Sequence, residues 1–307
     1  MIYDLIIIGL GPAGLTAGIY AARYKLKTLI IGRDLGQTAE AWLIENYPGF
    51  QDIKGMELIE KFKEHAEKLG VEIMQMVPVN HIKKENSIFV VKTGDDQEFR
   101  AKSIILAIGM QKRKMGIPGE KNFLGKGVSY CATCDAAFFN NKVVGVVGGS
   151  DSAATAALML SEHAKMVYII YRKDALRAQP AWVEKINKNP KIKTIFNAIP
   201  KELKGDDVLK SVVIERAGKT EEIALDGIFF EIGYKPETNL PAQLGVETDE
   251  YGHIKVKPDM STNIEGVFAA GDVTTPSEKL RQIITASAEG AIAATSAYKY
   301  IKSKGGD

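Results

Sequence analysis

The sequence predicts an α/β protein made of two dinucleotide-binding domains, and three features carry that expectation. A short apolar run, DLIIIG, leads into GLGPAGLTAGIYAARY and then KTLIIG, which is a strand, glycine turn, helix and strand in order. The same order restarts at residue 141 with NKVVGVVGGSDSAATAALMLSEHAKMVYIIYRKDALR. Each copy is followed by an apolar strand that meets a glycine, SIILAIG after the first and GIFFEIG after the second. Two copies of one plan argue for two domains of one kind rather than one large sheet. The chain of 307 residues, 45% hydrophobic and 25% charged, is long enough to bury two such cores.

In the first copy, the β-branched run DLIIIG fits a buried parallel strand. Gly9, Gly11 and Gly14 then match G-x-G-x-x-G. Gly9 permits the tight turn, Gly11 lets the backbone approach a pyrophosphate, and Gly14 lets helix and strand pack closely. Pro12 suits the first helical turn, whose free N–H groups and partial positive charge favour phosphate. Asp34, about twenty residues beyond Gly14, is placed to take a ribose hydroxyl. GMELIEKFKEHAEKLG reads as an amphipathic helix closed by Gly70. VEIMQM, VNHIKK, SIFVVKT and EFRAKS read as short strands, and SIILAIG as a further strand ending at Gly109.

In the second copy, VVGVV enters Gly148, Gly149 and Ser150, with Ala153 at the helix-packing position. The tail adds the strand of GVFAAGDVTTP, with Gly271 and Asp272, and the helical run QIITASAEGAIAATSAYKYIK. That piece is too small for a core of its own. It is expected to return to the first domain and make it discontinuous.

A net charge of +2, with basic residues scattered among acids, gives no electrostatic reason to expect nucleic acid. The start MIYDLIIIG lacks a basic leader, and its apolar run is too short to span a bilayer. Neither a signal peptide nor a membrane partner is expected. The only cysteines, Cys131 and Cys134, cannot form a disulfide framework, so a cytoplasmic protein is expected. A zinc site would need further ligands, and His65, His81, His163 and His253 are dispersed singly, so no metal is expected. On composition alone, an inert core pair stays open as well.

In chain order, GLGPAG, ENYPGF (45–50), SIILAIG, GVSYCATCD, RKDALR, GVFAAGD and LRQ (280–282) resemble the low-molecular-weight thioredoxin reductases. These are FAD-dependent members of the pyridine nucleotide-disulfide oxidoreductases. The resemblance covers nearly the whole chain, and CATCD just ahead of the second fingerprint is its most specific part. It implies two Rossmann-like domains of three-layer ββα type. The first would be a FAD-binding domain at 1–115 and 246–307, and the second an NAD(P)H-binding domain at 116–245 that carries the cysteines.

Carried over residue by residue, the resemblance puts Gly9, Gly11, Pro12 and Gly14 at the flavin pyrophosphate. Gln37, Asn46 and Gly109 fall near the flavin, Gly271 and Asp272 at ribityl and phosphate, and Arg281 and Gln282 near the ring system. Gly148, Ser150, Asp151, Ser152 and Ala153 fall at the second nucleotide, and Arg172, Lys173 and Arg177 match a basic cluster for a 2′-phosphate, which implies NADPH. Five departures matter. Ala136 and Leu35 stand where glycines are usual, Ser150 replaces the middle glycine of the second fingerprint, and Tyr171 and Lys173 replace a usual His and a usual Arg.

A C-x-x-C pair can close as an exchangeable disulfide and open as low-pKa thiols. The resemblance implies that Cys134 faces the flavin, that Cys131 attacks the partner disulfide, and that Asp135 protonates the leaving thiolate. The implied route runs from NADPH through FAD and Cys131–Cys134 to thioredoxin or a glutaredoxin-like protein, in a homodimer. NADH, reduced deazaflavin or ferredoxin are the alternative donors, and a flavin redox sensor without turnover is the alternative from another class. Because one cysteine pair must serve flavin and protein partner alike, a domain rotation is expected, with hinges at Gly116–Gly119 and Pro241–Gly245.

Overall fold

A computed structural model describes residues 1–304, apart from the Glu278 side chain; residues 305–307, where the expected segment 246–307 ends, lie outside the described residues. The chain divides into two units, one formed by Met1–Gln111 with the chain from Lys235 onward, the other by Lys112–Tyr234.

In the first unit, β1 (Ile2–Ile8) runs into α1 (Pro12–Arg23), with Pro12 in the first helical turn, and then β2 (Thr28–Gly32). α2 (Gly55–Lys68) stops before Gly70, whose φ of +85° an L side chain rarely adopts. β3 (Glu72–Gln75), β4 (Val79–Glu85), β5 (Ile88–Thr93) and β6 (Glu98–Leu106) follow. EFRAKS and SIILAIG, expected as separate strands, merge into β6 because nothing between 98 and 106 breaks an extended chain.

β7 (Met110–Lys112) leads into the second unit, which contains β8 (Val128–Ser129), α3 (Ala132–Asp135), β9 (Val143–Val147), α4 (Asp151–His163) and β10 (Met166–Tyr171). Next come α5 (Pro180–Lys188), β11 (Ile192–Phe196), β12 (Ala198–Gly205), β13 (Leu209–Arg216), β14 (Lys219–Ala224) and β15 (Gly227–Phe230). β16 (Tyr234–Pro236) returns the chain to the first unit, which ends with α6 (Asn239–Gln243), β17 (Val267–Ala269) and α7 (Ile283–Lys304).

The first unit's sheet has the order β3-β2-β1-β6-β5-β4, with β17 on the second half of β6. Its β1, β2, β3, β6 and β17 are parallel, while β4 and β5 run antiparallel. One face packs on α1, α2 and α7 through Leu15, Ala17, Ile59, Ala293 and Ala297. The other is covered by Ile82, Phe89 and Val91 of the antiparallel arm together with Leu240, Val246 and Ile254. The second unit has a parallel sheet β11-β10-β9-β15-β8 and an antiparallel sheet β12-β13-β14. This is the α/β class with two Rossmann-like units.

The crossings differ from the expected hinges. They fall at 111/112 and 234/235, in β7 and β16, which pair as a two-stranded sheet. Gly119 lies inside the second unit, where an added Cβ would stand 2.3 Å from the Leu203 carbonyl oxygen. Pro241–Gly245 lies inside the first unit, where Gln243 Oε1 accepts the Ile82 N–H at 2.9 Å. The expected boundaries after 115 and 245 therefore shift to 111/112 and 234/235.

The fingerprint glycines make different demands on the fold. A Cβ on Gly14 would sit 2.0 Å from the Gly9 carbonyl oxygen, whereas a Cβ on Gly11 would meet nothing within 4 Å. Gly14→Ala is therefore expected to destabilise the cofactor-free protein by ~1–3 kcal/mol. Gly11→Ala should change it by less than ~0.5 kcal/mol. Urea unfolding of the two variants checks the contrast; equal stability would refute it.

Candidate functional site

The first fingerprint is a turn from β1 into α1. Gly9 takes φ +118°, and its missing Cβ leaves room for the Ala107 carbonyl oxygen, which would otherwise lie at 2.1 Å. Gly11 is the N-cap of α1 and no side chain caps that end. Gly271, at φ +84°, approaches Ala13 so closely that an added Cβ would be 3.0 Å from the Ala13 Cβ. The loop after β17 is thus brought to the start of α1. Glu289, 7% exposed, fixes this loop by accepting the Gly271 N–H (2.8 Å), the Thr274 hydroxyl (2.7 Å) and the Ser277 hydroxyl (2.8 Å). Asp272 follows directly. Burial pushes its carboxyl up to about 6, against the pull of Arg281 and with a push from Glu289.

Arg281 is exposed, yet its Nη2 lies 3.0 Å from Nε2 of His253, which is 3% exposed. The other ring nitrogen, Nδ1, is 3.2 Å from Asp249 Oδ2. Burial raises the Asp249 carboxyl, but the N–H groups of His253 and Tyr251 and the imidazole outweigh it and hold it below the usual carboxylate range. Arginine only donates and the carboxylate only accepts, so the two contacts together call for the lone pair on Nε2 and a proton on Nδ1.

The polar candidates of the first unit converge in part. Asn46 Nδ2 donates to Gln282 Oε1 at 2.8 Å across a large sequence gap. Gln37 Nε2 donates to the Met110 carbonyl at 3.0 Å, and Gly109 takes φ +60° with nothing near its Cβ position. Asp34 is exposed and locally engaged, accepting Arg33 Nε and the Gly36 N–H, each at 2.9 Å. Leu35, a departure from the glycine pattern, is 5% exposed and belongs to the core.

The second fingerprint repeats the plan. Gly148 takes φ +147° against the Glu231 carbonyl, and Ala153 is fully buried. Ser150 is the N-cap of α4, with φ −94° and no side-chain capping bond. Asp151 accepts the Gln179 backbone N–H at 2.7 Å and its Nε2 at 2.9 Å, with Ser152 half-buried beside it. The Arg177 N–H donates to the Gly149 carbonyl at 2.7 Å, and Arg172, Lys173 and Arg177 are exposed. The Tyr171 ring lies where a Gly149 Cβ would be, 2.5 Å away. Its hydroxyl is the one buried side-chain polar atom without a hydrogen-bond partner among the described residues.

Cys131 and Cys134 form a disulfide, with Cα atoms 5.3 Å apart. Cys131 is half-buried and caps α3, its Sγ accepting the Cys134 N–H at 3.2 Å; Cys134 is exposed. The Cys131 N–H donates to Ser129 Oγ at 3.0 Å. The preceding Tyr130 is anchored at both ends, its carbonyl accepting from Lys112 Nζ and its hydroxyl donating to buried Glu120. Glu120 also accepts the N–H groups of Met115 (2.9 Å) and Ile117 (3.2 Å). Asp135 is half-buried and makes no capping bond, and Ala136 takes φ −54°, where alanine is unstrained. The sequence reading missed Glu120, Tyr130, Asp249, His253 and Glu289. One signal was readable, since Glu289 is the sole charged residue in IITASAEGAIAATSAY.

These residues fit two dinucleotides. An uncapped helix start with open space over Gly11 suits a pyrophosphate. In the second unit, the uncapped start of α4 and the exposed Arg172, Lys173 and Arg177 after β10 suit a phosphorylated nucleoside.

Residues 3–290 match the family model described as pyridine nucleotide-disulphide oxidoreductase. The chain is 44% identical over 312 aligned residues to a thioredoxin reductase of Peptoclostridium acidaminophilum, covering 98% of each. The crystal structure of Lactococcus lactis thioredoxin reductase superposes with a TM-score of 0.93 at 44% identity, covering 97% of this chain and 99% of that one. The crystal structure of T. acidophilum thioredoxin reductase gives 0.92 at 38% identity, covering 97% and 98%.

Asp272 sets a pH signature. With its carboxyl lifted from 3.8 to about 6, it is neutral in folded and unfolded chains alike only at pH ~3 and below. Between the two values the unfolded chain ionises first, so the cost to the folded state grows as pH rises from ~4 to ~6 and is fully present above that. Asp272→Asn is expected to stabilise the cofactor-free protein by about 1–3 kcal/mol at pH 7 and not at pH ~3. Urea unfolding at both pH values checks it; a gain of equal size at both would refute the assignment.

Proposed function

The chain belongs to the pyridine nucleotide-disulphide oxidoreductases, as a disulfide reductase of the thioredoxin reductase kind, and from that premise we propose a route from NADPH through FAD and Cys131–Cys134 to a thioredoxin-like protein. The observation that carries this reading is a single C-x-x-C disulfide lying in the same unit as the second fingerprint. The family implies FAD and a pyridine nucleotide. We assign FAD to the first unit, with Gly9, Gly11, Pro12 and Gly14 at its pyrophosphate and Gly271, Asp272, Arg281, Gln282, Asn46 and Gln37 around it. The second unit takes the nicotinamide nucleotide at Gly148–Ala153, with Arg172, Lys173 and Arg177 at its adenosine end.

Bound flavin supplies two-electron transfer; the exchange chemistry belongs to the chain. In the dithiol form, the Cys134 N–H that now faces Cys131 Sγ favours the Cys131 thiolate. That thiolate attacks one sulfur of the partner disulfide, forming a mixed disulfide and releasing a partner thiolate, which takes a proton from Asp135. Cys134 then attacks Cys131 Sγ, closing Cys131–Cys134, and its thiol proton passes to the second partner sulfur as it leaves, so the partner is released as a dithiol. One disulfide opens and another closes, so the electrons balance.

The donor rests on the basic cluster. Arg172 and Arg177 can grip a 2′-phosphate with paired hydrogen bonds, and no acid closes β10 to hold a free ribose. Ser150, in place of the middle glycine, favours a different donor and keeps NADH, reduced deazaflavin or ferredoxin as the second reading. The arrangement as a homodimer follows family precedent. Among the described residues, no helix is long and apolar enough to cross a membrane.

Two measurements test the reading. Cys131→Ser and Cys134→Ser should each abolish disulfide reduction and leave flavin binding intact. Only Cys131→Ser should keep a thiolate-to-flavin charge-transfer band; the reverse pattern would exchange the two sulfur roles. The ratio kcat/KM should favour NADPH over NADH at least ~10-fold, and Arg172→Ala with Arg177→Ala should remove that preference. A wild type indifferent to the 2′-phosphate would overturn the donor assignment.

A further inference from the structure

We propose that Asp249 and His253 are positioning residues that hold the Arg281 guanidinium at the cofactor loop, so that the first unit meets its dinucleotide with a cation already aimed. This rests on the reading that the first unit binds FAD.

Arg281 stands at an exposed position, where a long side chain ordinarily samples many rotamers. Here its Nη2 donates to a buried imidazole nitrogen 3.0 Å away. The imidazole is itself fixed. Asp249 Oδ2 takes its Nδ1–H at 3.2 Å, and Asp249 Oδ1 takes the backbone N–H groups of His253 (2.8 Å) and Tyr251 (2.9 Å). The turn at Gly252, φ +91°, folds this segment back so that carboxylate and ring face each other. The chain of contacts runs from a backbone-anchored carboxylate, through a neutral ring, to an exposed cation.

The same cation acts on Asp272, the residue after Gly271, which abuts Ala13 in the first turn of α1. The charged groups around His253 are Asp249 and Arg281 directly; Arg281 in turn acts on Asp272, on which Glu289 also acts. An imidazolium has no lone pair for Arg281 and would place two cations side by side, so the tether works only through the neutral ring. A pre-aimed donor loses less freedom when a ligand arrives, which is where affinity is gained.

The test uses full-length protein stripped of flavin and titrated with FAD by fluorescence quenching. His253→Phe removes the acceptor and should raise the Kd about 10-fold, as expected for losing one hydrogen bond to a charged group. In His253→Gln, the amide oxygen can still accept from Arg281, and the Kd should stay within about threefold of wild type. Arg281→Met should weaken binding at least as much as His253→Phe, and the double variant no further. Wild-type affinity in His253→Phe would overturn the proposal. So would an equal added loss from His253→Phe in the Arg281→Met background, because His253 would then act through packing. Asp249→Asn has one acceptor oxygen for two roles, the backbone N–H groups and Nδ1–H, so it gives a second route if His253→Phe fails to fold: it should weaken FAD binding measurably, and wild-type affinity there would overturn the positioning role of Asp249. A wild type that takes up no FAD would overturn both this proposal and the reading beneath it, and it would show before any substitution is made.

Discussion

The first unit depends on backbone packed against backbone around Ala13. An added Cβ would meet the Gly9 carbonyl oxygen from Gly14 at 2.0 Å, and the Ala13 carbonyl oxygen from Gly290 at 2.1 Å. With no side chain at these points, α7 lies directly on α1, and Ala293, Ala294 and Ala297 bury fully beside Ala17 and Ala21. A helix this close has to come from somewhere, and it comes from the end of the chain. The discontinuity of the unit is therefore a consequence of this contact: α7 and the Gly271 loop fill the space that the glycines leave open.

Such close packing leaves little room for water, so polar groups carried into it must find partners within the protein. Glu289 does so through a backbone N–H and two hydroxyls. Asp272, one residue past the glycine that Glu289 holds, lies largely buried without such a set, and its carboxyl rises to about 6. The arrangement satisfies one carboxylate fully and leaves its neighbour under-solvated at the start of α1. Of the two, only Asp272 has acceptor capacity to offer a ligand.

How much of this was legible follows from the range of each interaction. β1–α1–β2 and β9–α4–β10 were readable because their periodicity and glycines act locally. The C-terminal return was readable from the tail's inability to fold alone. The crossings were not, because Gly116 and Gly119 look like punctuation in sequence while Gly119 in fact packs beside Leu203. The sheet β12–β14 left no fingerprint, since its short strands take their meaning from pairing with one another. Asn46 and Gln282 came out of motifs as separate candidates, and only the fold shows them bonded. In sequence, His253 is one of four scattered histidines. Asp249, one helical step earlier in sequence, was a local hint, but Arg281 as the third member was beyond any local pattern.

The two fingerprints, compared position by position, separate glycines that the fold requires from glycines that a ligand requires. Gly9 and Gly148 both turn at positive φ against a neighbouring carbonyl, so the protein itself forbids a side chain at each. Gly14 is excluded by the Gly9 carbonyl, whereas its counterpart Ala153 packs as a fully buried methyl. Gly11 and Ser150 are the remaining pair. Both are N-caps in extended conformation, at φ −74° and −94°, where any residue is unstrained, and nothing in the protein crowds Gly11. The fold therefore makes no demand for glycine at this position. A glycine there reflects only how closely something else must approach, and Ser150 relaxes the pattern at a place where relaxing it costs the fold nothing.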